Sequence, residues 1–318
     1  MPLFGSRRTA APRLAPELDD SRLGRVLTQL QAPPTPGLLD LHVGQLEQVI
    51  KTPGADWDRR AHRMSVLAGT APGLNLGRAW EQRRPNSAEA LTFHAWAELV
   101  RARRTGELAD EQAAVDRCYR AAELSPEDPI PWVVLLGLLR LLRAPSQEVF
   151  PVWREATARD PWHREAYHQM LGYLSPEECG SQVQVLDFVD TVRARMPASA
   201  PAAGIELTAT IHQHHRTVQS GGVNAFLAGN HWSHPPASTA LDRAFDEWTR
   251  PGFLRHAAAL ADLNALAYVL VHANRIPHAA RVFELIQGRV APWPWQLSGD
   301  PLEQYEHWRE RARRSAPA

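Results

Sequence analysis

The sequence predicts an all-α fold: a right-handed α-solenoid of paired helices. Three observations carry that prediction. The stretch Pro126-Glu-Asp-Pro-Ile-Pro-Trp132-Val-Val-Leu-Leu-Gly137 is restated as Pro161-Trp-His-Arg-Glu-Ala-Tyr167-His-Gln-Met-Leu171-Gly172, so that Pro126, Trp132 and Leu136-Gly137 recur at a spacing of 35. A fixed period of about 34 residues, two helices per unit, marks an array whose units bury their apolar faces against one another. Apolar residues fall at helical spacing through most of the chain, and Pro, Gly, Asp and Ser punctuate the segments at the matching intervals.

In order, residues 1 to 18 are rich in Ala, Pro and Arg without periodicity and read as a mobile tail. Residues 19–318 read as a single helical-repeat domain of five or six helix pairs. Leu23 to Leu30 is a short amphipathic helix, and Pro33 to Gly37 breaks the chain. Leu38 to Ile50 is a helix with Leu39, His42, Leu46 and Ile50 on one stripe; Asp56 to Leu67 and Leu74 to Trp80 form the next pair. The clearest repeats are 86–126, 127–161 and 162–197. In the first, Ser87 or Asn86 caps a helix from Ala88 to about Arg104, and Ala114, Cys118 and Ala121 set the small-residue face of its partner. Asp128-Pro129 and Asp160-Pro161 each offer a capping carboxylate followed by a first-turn proline. Ser175 to Glu178 has the form of a capping box, with a helix restarting after Gly180-Ser181. Pro151 implies a late start or a kink in the helix around it. Beyond Pro197 the period loosens: a helix from Ala202 to Gln219, an irregular insertion at 220–236, a helix from Ser238 to Arg250, a last hairpin at 263–288, an aromatic turn at Pro292 to Trp295, and a terminal helix from Leu302 to Arg313 whose charge suits a solvent-facing cap.

The run Ala156 to Gly172, with Ala114, Ala121 and Pro126 before it, resembles the tetratricopeptide family; its aromatic positions are partly filled and two units fit cleanly. Asp56-Trp57-Asp-Arg-Arg60, the stretch 160–171, and Pro292-Trp-Pro-Trp295 with Gly299-Asp-Pro301 resemble a group of uncharacterised bacterial proteins on that fold, from about residue 40 onward. That resemblance implies a helical repeat and no assigned activity. Family members that clamp a peptide carboxylate line their groove with Lys, Asn and Arg. The aligned positions here hold Pro131, Val134, Leu138, Ala166, Gln169 and Tyr173, which implies no such clamp in these two units.

Composition excludes several function classes. The chain has 35 basic and 35 acidic residues, no electrostatic footprint for nucleic acid or an anionic membrane surface. Two cysteines are no disulfide framework and fit a reducing cytoplasm. The start of the chain lacks the apolar core of a secretory signal, and the apolar run from Ile130 to Leu142 falls short of the about 20 residues that span a bilayer. A cytoplasmic protein is the expectation. There is no GxSxG elbow, GxGxxG, Walker A loop or HExxH, so neither enzyme chemistry nor a cofactor is expected.

The leading functional reading is a non-enzymatic protein-interaction module holding a protein or peptide segment in its concave groove, with Val134, Leu138, Gln169 and Tyr173 as groove positions and Trp232 as a loop anchor. Packing of Trp232 into the core is an equal alternative. The runner-up is a metal site or metal-dependent enzyme in the histidine-rich stretch 212–234. His212 and His215 share a helical face there, and His231 and His234 sit on a loop, but the spacing matches no established zinc motif. Polar surface histidines are the plainer reading. His163 and His168 read as structural, Glu177-Glu178 and Asp110-Glu111 as solvated helix starts, and Arg101, Arg103 and Arg104 as a face salt-bridged to Glu107, Asp110 and Glu111.

Overall fold

The computed structural model describes residues 11–30, 38–222 and 228–315. They are helical apart from one pair of two-residue strands, and no helix among them is long and apolar enough to cross a membrane. Where the sequence led us to expect one domain over 19–318, the chain separates into two compact units: Asp20–Ile205, and the residues from Glu206 onward together with those up to Asp19.

The N-terminal unit, 20–205, holds ten helices among its described residues: α1 (Ser21–Leu30), α2 (Leu38–Lys51), α3 (Trp57–Ala68), α4 (Gly73–Arg83), α5 (Ala88–Thr105), α6 (Glu111–Leu124), α7 (Ile130–Leu141), α8 (Ser146–Arg159), α9 (Arg164–Tyr173) and α10 (Gln182–Arg195). Side-chain oxygens of Asp56, Ser87, Asp110 and Ser181 cap α3, α5, α6 and α10 by accepting from backbone N–H groups of the first turn. Two expected starts differ. Asp160 closes a turn on the Trp162 N–H at 3.3 Å, and α9 begins four residues later with His163 as its cap. Ser175 to Glu178 form a turn rather than a helix start. Pro151 lies inside a continuous α8, on an exposed position. On α2 the buried stripe is Val43, Leu46, Val49 and Ile50, while Leu39 is exposed, one step round from the expected face.

Successive helices pack on one another from α4 through α8, and the first helices of the pairs, α3, α5, α7 and α9, pack side by side. Their contacts are close because small residues face large ones. A Cβ on Gly137 of α7 would lie 2.6 Å from Leu99 Cδ2 of α5, and one on Gly77 of α4 would lie 3.0 Å from the His94 Cα. Ala90, Ala95, Ala114, Ala121, Ala156 and Ala166 are fully buried for the same reason.

Charged pairs join distant parts of this unit. Asp20 caps α1 through the Leu23 N–H (3.0 Å) and receives a two-point contact from Arg63 (Nε to Oδ2, 2.7 Å) with both side chains 5% exposed. Burial raises the Asp20 carboxyl pKa, but Arg63 and the Leu23 N–H outweigh it and leave the group below its ordinary value. Arg60 lies 3.3 Å from Asp128, whose pKa burial pushes up to about 6 against the opposing pull of the Ile130 N–H and Arg60.

The C-terminal unit contains α11 (Ile205–Gln219), a 3₁₀ turn (Ala228–Ser233), α12 (Pro235–Trp248), α13 (Ala259–His272), α14 (Ile276–Ile286), the helical turn α15 (Pro292–Trp295) and α16 (Pro301–Ser315). Residues 11–18, expected to belong to a mobile tail, are built into it. β1 (Arg13–Leu14) pairs in parallel with β2 (Arg289–Val290), Ala15 is fully buried, and Leu18 packs on Ala258 and Ala291. A two-residue strand needs no hydrophobic period, so composition hid it. Residues 1–10 lie outside the described residues, as do 223–227 of the expected insertion. The rest of that insertion is ordered: Trp232 sits in the 3₁₀ turn, and α12 begins at Pro235.

The core of this unit is aromatic. Phe283, Trp295 and Tyr305 meet at ring separations of 5.1–6.0 Å, beside Leu266, Leu270, Val282 and Ile286. α16 therefore turns Tyr305 fully inward beneath its charged outer face. Asn264 of α13 is fully buried and saturated: its Oδ1 accepts from Trp295 Nε1 (3.0 Å) and the Ala291 N–H (3.3 Å), and its Nδ2 donates to the Leu260 and Arg289 carbonyls (2.8 and 3.1 Å).

Candidate functional site

The side chains expected to line a concave groove are interior. Val134, Leu138, Gln169 and Tyr173 are 1%, 0%, 3% and 4% exposed. Gly137 and Gly172, from which those positions were counted, both lie at tight approaches, and α5 and α9 flank α7 while α3 also reaches α9, so that side of α7 is covered. Tyr173 donates to the Ala144 carbonyl at 2.9 Å. Gln169 is a junction: its Oε1 accepts from Arg103 (2.6 Å) and Arg140 (3.1 Å), its Nε2 donates to Glu165, and Arg140 continues to Glu178 through its Nε at 2.6 Å. Glu178, expected to be solvated, is therefore an ion-pair partner. Arg103 and Arg104 do not meet the nearby acids in sequence; Arg103 binds Gln169 and Arg104 donates to the Gly69 carbonyl.

Trp232, the expected loop anchor, is 2% exposed and belongs to the core with Leu207, Ile211 and Leu241. Around it His214 of α11 stacks with Trp232 (5.0 Å), His231 (5.4 Å) and His272 of α13 (6.0 Å). Burial drives His214 and His272 down to about 4, with the neighbouring imidazoles adding to the effect at His214, and it lowers His231 as well. Their Nε2 atoms at His231 and His272, and Trp232 Nε1, are buried without a hydrogen-bond partner among the described residues. Of the four candidate ligands only His231 belongs to this group: His212 and His234 are exposed, His215 is half-buried, and His212 lies beside Trp293. Among the described residues no three His, Cys, Asp or Glu side chains are grouped to hold a metal ion. His163 is fully buried, with its pKa lowered to about 4 by burial, and its Nδ1 accepts from the Ala166 N–H at 3.4 Å; His168 contacts Arg164. Cys118 is buried, which pushes its thiol pKa up, and Cys179 is exposed.

Among the described residues, a cleft that the sequence did not point to is open to a ligand. It has a volume of ≈ 550 Å³ and lies among α6, α7 and α8. α6 turns Ala114, Cys118 and Ala121 inward, which leaves Val115 and Tyr119 on the cleft side. Trp132, Leu139 and Leu142 of the α7 segment form its floor, and Pro151 and Val152 of α8 its far wall. Tyr119 is 44% exposed and meets the Trp132 ring edge-on at 5.9 Å, while the Arg159 guanidinium covers Trp132 at 5.1 Å. Gln112, Glu111, Glu148 and Glu155 complete the lining, and no lysine or arginine contributes to it. Arg159 pairs with Glu155 at 2.6 Å. The signal available in sequence was the apolar pair Val115 and Tyr119 on the face of α6 opposite its small residues.

No protein-family model, curated protein or solved structure matches this chain.

Proposed function

We propose that this chain is a non-enzymatic protein-interaction module, built in its 86–197 segment from tetratricopeptide-like helix pairs stacked as a right-handed array, and that a partner's peptide segment seats between α6 and α8 rather than in the covered groove. The observation that carries this reading is the open cleft over Trp132, which combines an apolar floor with exposed aromatic surface at Tyr119. Binding sites of this size are concave, mostly apolar and rimmed by a few polar groups. An exposed aromatic beside a floor of aliphatic side chains is also where interface energy concentrates.

A benzophenone side chain incorporated at Tyr119 tests the reading in the source cells. One discrete adduct is expected, lost when Leu142→Arg fills the floor and absent when the same group replaces Val183, which is 65% exposed on α10 and outside the cleft. Equal labelling from both positions, or an adduct indifferent to Leu142→Arg, would remove the cleft from the argument.

A further inference from the structure

We infer that the segment seated in the α6–α8 cleft is an arginine-bearing peptide, with an apolar side chain on the floor and a guanidinium at the glutamate rim. The inference rests on the interaction reading above and specifies the chemistry of its partner.

The first argument is charge. Glu111, Glu148 and Glu155 line the cleft, and the cation that approaches it, Arg159, is already engaged with Glu155, the Pro126 carbonyl and the Trp132 face. Glu111 and Glu148 have no ion-pair partner among the described residues. Each stands in the first turn of its helix, where the helix N-terminus favours an acid, and each still projects an unmatched carboxylate at the cleft.

The second argument is the balance of donors and acceptors. Carboxylates accept, and Gln112, the amide in the lining, already donates to Asp116 at 2.8 Å. The rim is thus rich in acceptors and poor in donors, and its complement must bring several N–H groups. Arginine brings five in a planar fork and stacks on aromatic faces, whereas a lysine ammonium is a compact, strongly hydrated charge. Tyr119 offers such a face at the rim, and the molecule already uses the same contact between Arg159 and Trp132.

The third argument is the apolar floor. Val115, Leu139, Leu142 and Val152 would leave a purely basic peptide hydrating an oily surface, so an apolar residue beside the arginine is required.

A displayed library of random peptides, panned on the full chain, tests the inference, with clones sorted by whether binding is lost on Tyr119→Ala. Tyr119-dependent clones are expected to carry Arg next to Leu, Ile, Phe or Met. Their synthetic peptides should bind about tenfold more weakly to the Glu111→Gln/Glu148→Gln double variant and should weaken as salt is raised. Tyr119-dependent clones that are neutral or acidic, or that ignore the double variant, overturn the arginine inference and leave the cleft as an interaction site. If no clone depends on Tyr119, the inference and the interaction reading fall together. A Tyr119-dependent dimer in sedimentation with no peptide bound also overturns it, in favour of a second copy of this chain as the occupant. Both glutamates and Tyr119 are exposed, so these variants are expected to fold.

Discussion

The two units solve the same packing problem with different interiors. The N-terminal unit pairs buried and half-buried charges: Arg63 on Asp20 and Arg60 on Asp128 inside, Arg117 on Glu98 and Glu81 and Arg140 on Glu178 nearer the surface. The C-terminal unit relies more on rings: Phe283, Trp295 and Tyr305 are buried, His214 and His272 half-buried, beside one saturated amide, Asn264, and a single buried His256–Asp262 pair among the described residues. The contrast follows from their helices. Those of the N-terminal unit meet through alanines and glycines, which permit close approach but specify shape weakly, and the long arginines link positions 19 to 68 residues apart with directional bonds. The C-terminal helices carry large side chains whose shapes interlock.

The sharpest way to break this comparison is Arg63→Met. It leaves the buried Asp20 carboxylate with only Arg59, at 3.7 Å, and a loss of about 3 kcal/mol, the lower end for a broken buried pair, is expected in chemical denaturation. A loss under about 1 kcal/mol would show that the pair is incidental. In the other unit, Asn264→Leu removes the acceptor of Trp295 Nε1 and the donor to the Arg289 carbonyl, with about 2–3 kcal/mol expected to be lost. Equal stability of that variant would mean that the rings alone hold the turn.

Acid sharpens the contrast. His214 and His272 have folded pKa values lowered from 6.5 to about 4, so the folded form stays neutral while the unfolded chain takes up protons. Their contribution is fully present above pH 6.5 and is lost as pH falls toward 4. Near pH 5 each takes up about one proton on unfolding, and His272→Phe should reduce the measured uptake by about one. An unchanged pH slope would assign the titration elsewhere, with His62 and His163 of the N-terminal unit, also lowered to about 4, the next to replace. A smaller effect is expected from Gly172→Ala: its Cβ would lie 2.1 Å from the Arg140 guanidinium carbon and push it off Gln169 and Glu178, at about 1–2 kcal/mol. Tyr119→Ala, on an exposed position, should change stability by no more than about 0.5 kcal/mol, and its effect belongs to binding.

Much of the secondary structure was legible before any coordinates. Ser87 and Asp110 cap the helices they announce, Ala114, Cys118 and Ala121 are buried at their expected spacing, and Gly137 and Gly172 mark equivalent close approaches. These are local properties: a cap needs a side chain two or three residues from its N–H, and a helical face needs only its period. The misreadings have a common cause. Asp160 looked like the cap of α9 because Asp-Pro is a good start signal, yet a turn intervened and His163 took the role. Val134, Leu138, Gln169 and Tyr173 share a face in sequence, but which partner covers that face is a property of α3, α5 and α9.

By itself, then, the sequence determined the all-helical class, nearly every helix of the N-terminal unit and the small-residue seams along which those helices meet, because each depends on residues within a turn or two of one another. The tertiary structure decided what those faces meet. It gathered Arg63 to Asp20 across 43 residues, drew 13–14 into a strand beside 289–290, sank Trp232 into the core with His214 against it, and left Tyr119 and three glutamates around an open cleft. The physical reason is that burial and pairing depend on distance in space, and loop closure makes long separations along the chain only slightly more costly than short ones.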